Sequence, residues 1–192
     1  MAEEQINMPG RLIVIGGSSG SLDALLALLP KLAINFRIPI LLVVHRGMAA
    51  DNGLTELLRA KTSLHIKEAD EKDRLLPGWI YLAPPDYHVL LENDGTLSLD
   101  ASEKVHYCRP SIDVSFTSAA RAYKGNCIAI LLSGANADGA QAMRTVKECG
   151  GRNIVQDPDE ALVNYMPSQA ILLSPVDDVL PAAGIAALLN SL

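Results

Sequence analysis

The sequence predicts an α/β fold: a mainly parallel, doubly wound (Rossmann-like) sheet flanked by helices, carrying an antiparallel β-hairpin insert. Three observations predict it. Short β-branched runs alternate with segments of helical spacing, the order that a helix-covered parallel sheet requires. The chain has 192 residues, 49% of them hydrophobic and 20% charged, enough apolar material for one sizeable core. Between residues 78 and 99, short strands crowd together with tight turns and no helix between them.

Arg11–Ile15 (RLIVI) reads as the first strand and stops at Gly16-Gly17-Ser18-Ser19-Gly20-Ser21. Leu22, Leu25, Leu26, Leu28, Leu29 and Leu32 then recur at helical spacing, with Ser21 placed to cap that helix. Ile40–Val44 is a second buried strand, followed by His45-Arg46-Gly47; a helix over Asp51–Ala60 and a strand over Ser63–Lys67 come next. Gly78–Ala83, Tyr87–Leu91 and Thr96–Leu99 are short strands separated by Pro84-Pro85-Asp86 and Asn93-Asp94-Gly95, and Asp-Gly between apolar runs signals a hairpin. All three are assigned to an antiparallel insert of about 30 residues. A helix over Ser111–Tyr123, a strand over Cys127–Leu132, the loop Ser133–Gly139 and a helix over Ala140–Cys149 return to the α/β pattern. A strand at Asn153–Gln156 and helices from about Ser168 and Pro181 complete the chain. No internal repeat or linker interrupts it, so residues 11–192 form one domain behind an N-terminal extension over residues 1–10.

Composition removes several function classes. Sixteen Lys+Arg against 22 Asp+Glu give a net charge of −6, without the basic face that nucleic acid demands. No apolar stretch approaches the roughly 20 residues that span a bilayer. The N-terminus is acidic and polar, unlike a secretory signal, so a cytoplasmic location is expected. Cys108, Cys127 and Cys149 are odd in number and lack a CxxC pair, which implies reduced thiols and no structural zinc. No metal-ligand cluster and no organic cofactor are expected.

In open parallel sheets, ligands bind beyond the carboxyl ends of the strands. The polar residues directly after the buried strands are Ser18 and Ser19, His45 and Asp138. A serine becomes a nucleophile through a general base, and that base needs a third group to fix its tautomer and stabilise its cation. All three groups stand at strand ends. Gly16-Gly17-Ser18-Ser19-Gly20 also fits G-x-S-x-G, a turn that exposes a serine, and the Ser19 amide would face a developing oxyanion. The order Ser, His, Asp differs from the Ser, acid, His of α/β-hydrolases. A phosphate-binding loop is the alternative for this turn, but it lacks the Lys of a P-loop and the third Gly of a dinucleotide fingerprint. His65 and His106 read as structural or solvated, and His88 as lining a surface.

The segments IGGSSGSLDAL, VVHRG, LPGWIYLAPPDYHVLL, RPSIDVSF, LLSGANADGAQAM and YMPSQAI follow one another in that order. Together they resemble the catalytic domain of the chemotaxis protein-glutamate methylesterases, the CheB family, over about Arg11 to Leu189. The resemblance implies that Ser18, His45 and Asp138 are the catalytic triad. It implies hydrolysis of γ-glutamyl methyl esters on the cytoplasmic helices of chemoreceptors, and in some members deamidation of receptor glutamines. It also assigns Arg109 to substrate contact. Two departures stand out. Where the family has a methionine whose amide helps the oxyanion hole, this chain has Ala135; where it has glycine, this chain has Asn136, the best non-glycine substitute if φ is positive there. The family's receiver domain has no room in the ten or so residues before the first strand, so the chain is expected to be free-standing or an excised piece. Relatives fused to methyltransferase and sensor-kinase domains make those modules candidate partners. A catalytically silent regulatory domain of the same fold is the rival from a different class.

Overall fold

The computed structural model describes residues 10–46 and 53–192. The strands β1 (Leu12–Gly17), β2 (Ile40–Val44), β3 (His65–Glu68) and β4 (Trp79–Leu82) belong to one sheet. β5 (His88–Leu91) and β6 (Leu97–Asp100) stand apart as an antiparallel hairpin. β7 (Cys127–Leu131), β8 (Arg152–Gln156) and β9 (Asp178–Leu180) complete the sheet, whose order is β3-β4-β2-β1-β7-β8-β9. Every neighbouring pair in it is parallel.

Helices cover both faces, so the interior strands are apolar without alternation. Leu12, Val14, Leu41, Val43, Ala129 and Leu131 face α3 (Ile112–Tyr123), α4 (Ala142–Glu148), α5 (Tyr165–Leu173) and the hairpin. Ile13, Ile15, Ile40, Leu42, Ile128 and Ile130 face α1 (Ser21–Leu28), α2 (Gly53–Arg59) and α6 (Ala182–Asn190). From β1 the chain winds to β2 on one side and later returns to β7 on the other. The carboxyl ends of β1, β2 and β7 therefore bracket the crevice where such sheets hold ligands.

Trp79–Leu82 lies outside the hairpin insert to which the sequence assigned it. It joins the main sheet in parallel, with Ile80 opposite both Ile40 and Ile66. Ile80, Tyr81 and Leu82 are buried, and an apolar run without alternation is the mark of a central parallel strand rather than of a half-exposed hairpin. The insert therefore shrinks to β5 and β6, turning at Gly95 (φ +79°). β9 was not anticipated; three residues of mixed polarity give no periodicity. α5 begins at Tyr165, earlier than Ser168, with Pro167 in its first turn, where a missing N–H costs nothing. Ser21 is the first residue of α1 rather than its cap. The cap position belongs to Gly20, whose φ of +79° suits glycine, and the Ser21 hydroxyl donates to Ser18 O at 2.7 Å. Asp51 and Asn52 of the expected second helix, and residues 1–9 of the extension, lie outside the described residues. Among the described residues, no helix is long and apolar enough to cross a membrane.

Candidate active site

Main-chain hydrogen bonds stitch three strand ends together. Gly17 pairs with Val44 and Gly16 with Leu131, so Ser18, His45 and Leu132 each lie one step past a paired residue. The His45 amide donates to Gly17 O (3.1 Å), the Leu132 amide to Gly16 O (2.9 Å) and the Ser18 amide to Ser133 O (2.9 Å). Position 16 must be glycine for this edge to form: a Cβ there would lie 2.4 Å from Ile112 Cγ2, at the start of α3.

Asp138 is fully buried and accepts four hydrogen bonds. His45 Nε2 (2.8 Å) and the Ile112 amide (2.7 Å) donate to Oδ2. The Ser111 hydroxyl (2.9 Å) and the Asp113 amide (3.0 Å) donate to Oδ1. The carboxylate thus closes the N-terminus of α3, whose first amides lack helical partners, while it grips the imidazole. Burial pushes its pKa up, but the His45 hydrogen bond, the Asp113 and Ile112 amides and the His45 charge outweigh burial and hold it below the usual range. Asp113 moves the other way: burial, then the Asp138 charge, raise its carboxyl.

The His45 side chain is only 11% exposed. An ionised carboxylate only accepts, so the bond to Asp138 fixes the proton on Nε2 and leaves the Nδ1 lone pair as the basic site. Cys108 Sγ sits 3.5 Å from Nδ1 and receives a hydrogen bond from Asn136 Nδ2 at 3.4 Å. Burial and then the nearby Asp138 charge push the Cys108 thiol up, so it stays protonated. An open cleft of about 320 Å³ lies on this side, walled by His45, Arg46, Lys104, Tyr107, Cys108 and Arg109.

Each expected site residue has a definite place. His45 and Asp138 are in direct contact. Ser18 is half-buried at the adjacent strand end, outside the cleft wall; among the described residues its hydroxyl makes no hydrogen bond. Its amide is taken by Ser133 O, whereas the amides of Ser19 and Ala135 donate to no acceptor among the described residues. Arg109 is in the cleft wall but internally occupied: Nε and Nη2 donate to Asp86 (3.1 and 2.7 Å), and Nη1 to Ala101 O and Ser102 O (2.6 Å each).

Three details depart from expectation. His88 does not line a surface: it is buried, its Nδ1 accepts from the Ser111 amide (3.1 Å) and its Nε2 donates to Glu103 O (3.0 Å), a neutral imidazole tying the cleft loop to α3. His65 and His106 are, as expected, structural and exposed: His65 stacks on Trp79, and His106 pairs with Asp113 at 3.2 Å. Asn136 is not at positive φ; in its loop that conformation falls on Gly139, and Asn136 instead accepts the Asp138 amide at 3.1 Å. Against the expectation of no ligand cluster, His45, Cys108 and Asp138 bring ligand atoms within 4.8 Å of one another.

Three residues escaped the sequence reading. Ser111 caps α3, accepting from the Val114 amide, and its R-P-S-I-D context carried a legible cap signal. Cys108 gave no signal, because its contact to His45 spans 63 positions. Arg46 is half-buried, pairs with Glu68 and donates to Ala83 O (3.1 Å), while its Nε and Nη1 find no partner among the described residues.

The chain is similar to known proteins in sequence and in fold. The sequence model of the family described as CheB methylesterase matches residues 13–189. A Leptospira interrogans protein, provisionally named protein-glutamate methylesterase/protein-glutamine glutaminase, is 44% identical over 92% of this chain and 91% of its own length. A Nitrosospira multiformis protein-glutamate methylesterase/protein-glutamine glutaminase is 37% identical over 96% of this chain, which spans 52% of that protein. The crystal structure of the Thermotoga maritima CheB methylesterase catalytic domain is similar with a TM-score of 0.91 at 34% identity, covering 96% of this chain and 99% of that one.

Proposed function

The chain belongs to the CheB methylesterase family, and from that premise we propose that it hydrolyses γ-methyl esters of glutamate side chains on methyl-accepting receptor proteins. The two activities in its relatives' names extend the proposal to the matching glutamine amides. The observation that carries it is the buried Asp138 carboxylate holding His45 Nε2 at 2.8 Å, which leaves Nδ1 as the basic nitrogen of a residue whose main chain is bonded to the end of β1.

In this mechanism Ser18 Oγ attacks the ester carbonyl and gives its proton to His45 Nδ1. To do so the imidazole exchanges its contact with Cys108 for one with Ser18, a hydrogen bond of the kind that tightens only when substrate is bound. The amides of Ser19 and Ala135 are free to meet the oxyanion, and a backbone donor is indifferent to the loss of a methionine side chain. Asp138 stabilises the imidazolium, which returns its proton to the departing methoxide. Nδ1 then activates water, and glutamate and methanol leave. For a glutamine, ammonia leaves instead.

Arg109, with its guanidinium occupied, serves here by fixing the cleft loop against Asp86. The exposed Lys104 at the same cleft has no ion pair among the described residues and is the cation placed to meet receptor carboxylates. The partners this function requires are methylated cytoplasmic receptor helices, which would put the reaction in the cytoplasm; methyltransferase or kinase modules are companions in the same signalling system.

Methanol release from a methylated receptor fragment tests the proposal, alongside labelling by a fluorophosphonate probe. Wild type should release methanol and label at Ser18, and Ser18→Ala should do neither. A folded wild type that does neither would instead be the silent regulatory domain.

A further inference from the structure

The basic nitrogen of His45 faces a sulfur. Its ring is held from behind by Asp138, and Nδ1 and Cys108 Sγ stand 3.5 Å apart at the edge of a water-accessible cleft. We propose that His45 Nδ1 and Cys108 Sγ form a two-ligand site for a thiophilic divalent cation such as Zn²⁺, and that its occupancy switches hydrolysis off.

Zinc–sulfur and zinc–nitrogen bonds of about 2.3 and 2.0–2.1 Å at a tetrahedral angle place sulfur and nitrogen about 3.5 Å apart. The pair already stands at that separation, so ordering ligands for the metal costs little. A metal-bound histidine also characteristically gives its other N–H to a carboxylate, which sets the tautomer and raises ligand basicity. Asp138 does this at Nε2. It has an oxygen within 4.8 Å of both ligand atoms, but its oxygens already accept four hydrogen bonds, so it acts as the outer partner and as a nearby negative charge. Asn136 Nδ2 donates to Sγ and would steady a thiolate there. Lys104, in the same cleft wall, opposes a cation. The other coordination positions open onto the cleft and take water.

On binding, the Cys108 S–H proton passes to solvent, a zinc–sulfur bond forms, and the Nδ1 lone pair completes the second bond; nothing is oxidised or reduced. Affinity therefore rises with pH. Sulfur and imidazole donors select zinc or cadmium over magnesium and calcium, which prefer oxygen. Of the other thiols, Cys127 is buried and Cys149 belongs to no metal-capable group among the described residues. The switching half rests on the proposed hydrolase: a lone pair bonded to zinc cannot take the Ser18 proton.

The test uses the whole protein and two readouts. Cadmium titration is followed by the thiolate-to-metal absorption band, which wild type and Cys149→Ala should develop and Cys108→Ala should not. Hydrolysis of a small activated ester is then measured with and without Zn²⁺, each variant compared with itself. Wild type should lose on the order of 10²-fold, the scale of general-base catalysis. It should recover with chelator and ignore Mg²⁺, and Cys108→Ala should be insensitive to zinc. No band in wild type, or the same band and inhibition in Cys108→Ala, overturns the site. A Cys108-dependent band without inhibition overturns the switch. Should Cys108→Ala not fold, alkylation of wild type decides: Zn²⁺ must slow labelling of Cys108, and equal labelling with and without metal overturns the proposal. An inactive wild type that still shows the band would remove the hydrolase and leave the metal site standing.

Discussion

Asp138→Asn separates the two tasks of the buried carboxylate. Asparagine keeps one acceptor oxygen and puts an NH₂ where the other oxygen was. If the NH₂ replaces Oδ1, the Ser111 hydroxyl can rotate to accept, but the Asp113 amide loses its partner. If it replaces Oδ2, the Ile112 amide is stranded, and His45 can pair only by moving its proton to Nδ1, which removes the base. Either way one buried amide is unpaired, at a cost of about 1–3 kcal/mol. For a domain of this size that lowers Tm by roughly 2–12 °C. The imidazolium also loses its counter-charge, and the matching change in a serine protease lowers turnover about 10⁴-fold. Asp138→Ala strands all four donors. At 1–3 kcal/mol each, that loss is comparable to a whole domain's stability of roughly 5–15 kcal/mol. The assay pairs methanol release with thermal unfolding of both variants. A folded Asp138→Asn with near wild-type turnover would refute the orienting role, and an Asp138→Ala as stable as wild type would refute the capping role.

Four further outcomes follow from the same geometry. Because the Asp138 pKa is depressed on folding, the stability it supplies is complete above its ordinary value of 3.8 and is lost as pH falls through the lower folded value; in urea unfolding from pH 6 to 2, the gap between wild type and Asp138→Asn should narrow below about pH 4, and a constant gap would count against it. Ser18→Ala should lower turnover by up to roughly 10⁶-fold with Tm unchanged, since the hydroxyl makes no hydrogen bond among the described residues; retained methanol release removes Ser18 from the chemistry. Arg109→Ala should cost about 1–2 kcal/mol, discounted because Asp86 is 37% exposed; receptor fragment and small ester should then be hydrolysed more slowly by similar factors, whereas a loss confined to the receptor fragment would restore Arg109 as a substrate contact. Gly16→Ala should cost about 1–3 kcal/mol by overpacking against Ile112 and reduce turnover as α3 shifts; wild-type Tm and kcat would show that α3 does not depend on that contact.

What the sequence disclosed follows from the range over which its signals act. The interior strands are legible because burial on both faces leaves unbroken apolar runs, as in Leu12–Ile15 and Ile40–Val43. That rule, applied to Trp79–Leu82, would have placed it in the main sheet; the adjacent hairpin signal at Asp94-Gly95 drew it into the insert instead. The candidate site was legible for Ser18 and His45, which follow β1 and β2 directly, since the sheet brings those ends together; Asp138 lies seven residues beyond β7 and reaches His45 from the start of α3. Its second layer was not. Cys108 meets His45 across 63 positions, and Arg109 finds Asp86 across 23, by routes through the loop between β6 and α3 that no period encodes. Nor could the sequence say whether position 136 needs a positive φ: Gly139 takes it, and the Asn136 side chain instead bonds Cys108 Sγ and the Asp138 amide.

The same loop explains why the fold and the candidate chemistry are hard to separate here. His88 joins Glu103 O, in the cleft loop, to the Ser111 amide, and Ser111 in turn donates to Asp138. Cleft wall, helix cap and base therefore hang from one buried carboxylate. Burying a charge is costly unless its partners are excellent, and an apolar core of equal volume is often as stable or more so. Asp138 meets the condition with four donors, yet only three of them are needed to close α3. The fourth, His45, presents Nδ1 to Cys108 at the cleft, on a strand whose end is bonded to that of β1, where Ser18 follows. A purely structural node would gain nothing by holding an imidazole with one nitrogen basic at the mouth of a cleft, whereas a hydrolase needs that feature and finds the helix cap already supplying the rigidity to aim it.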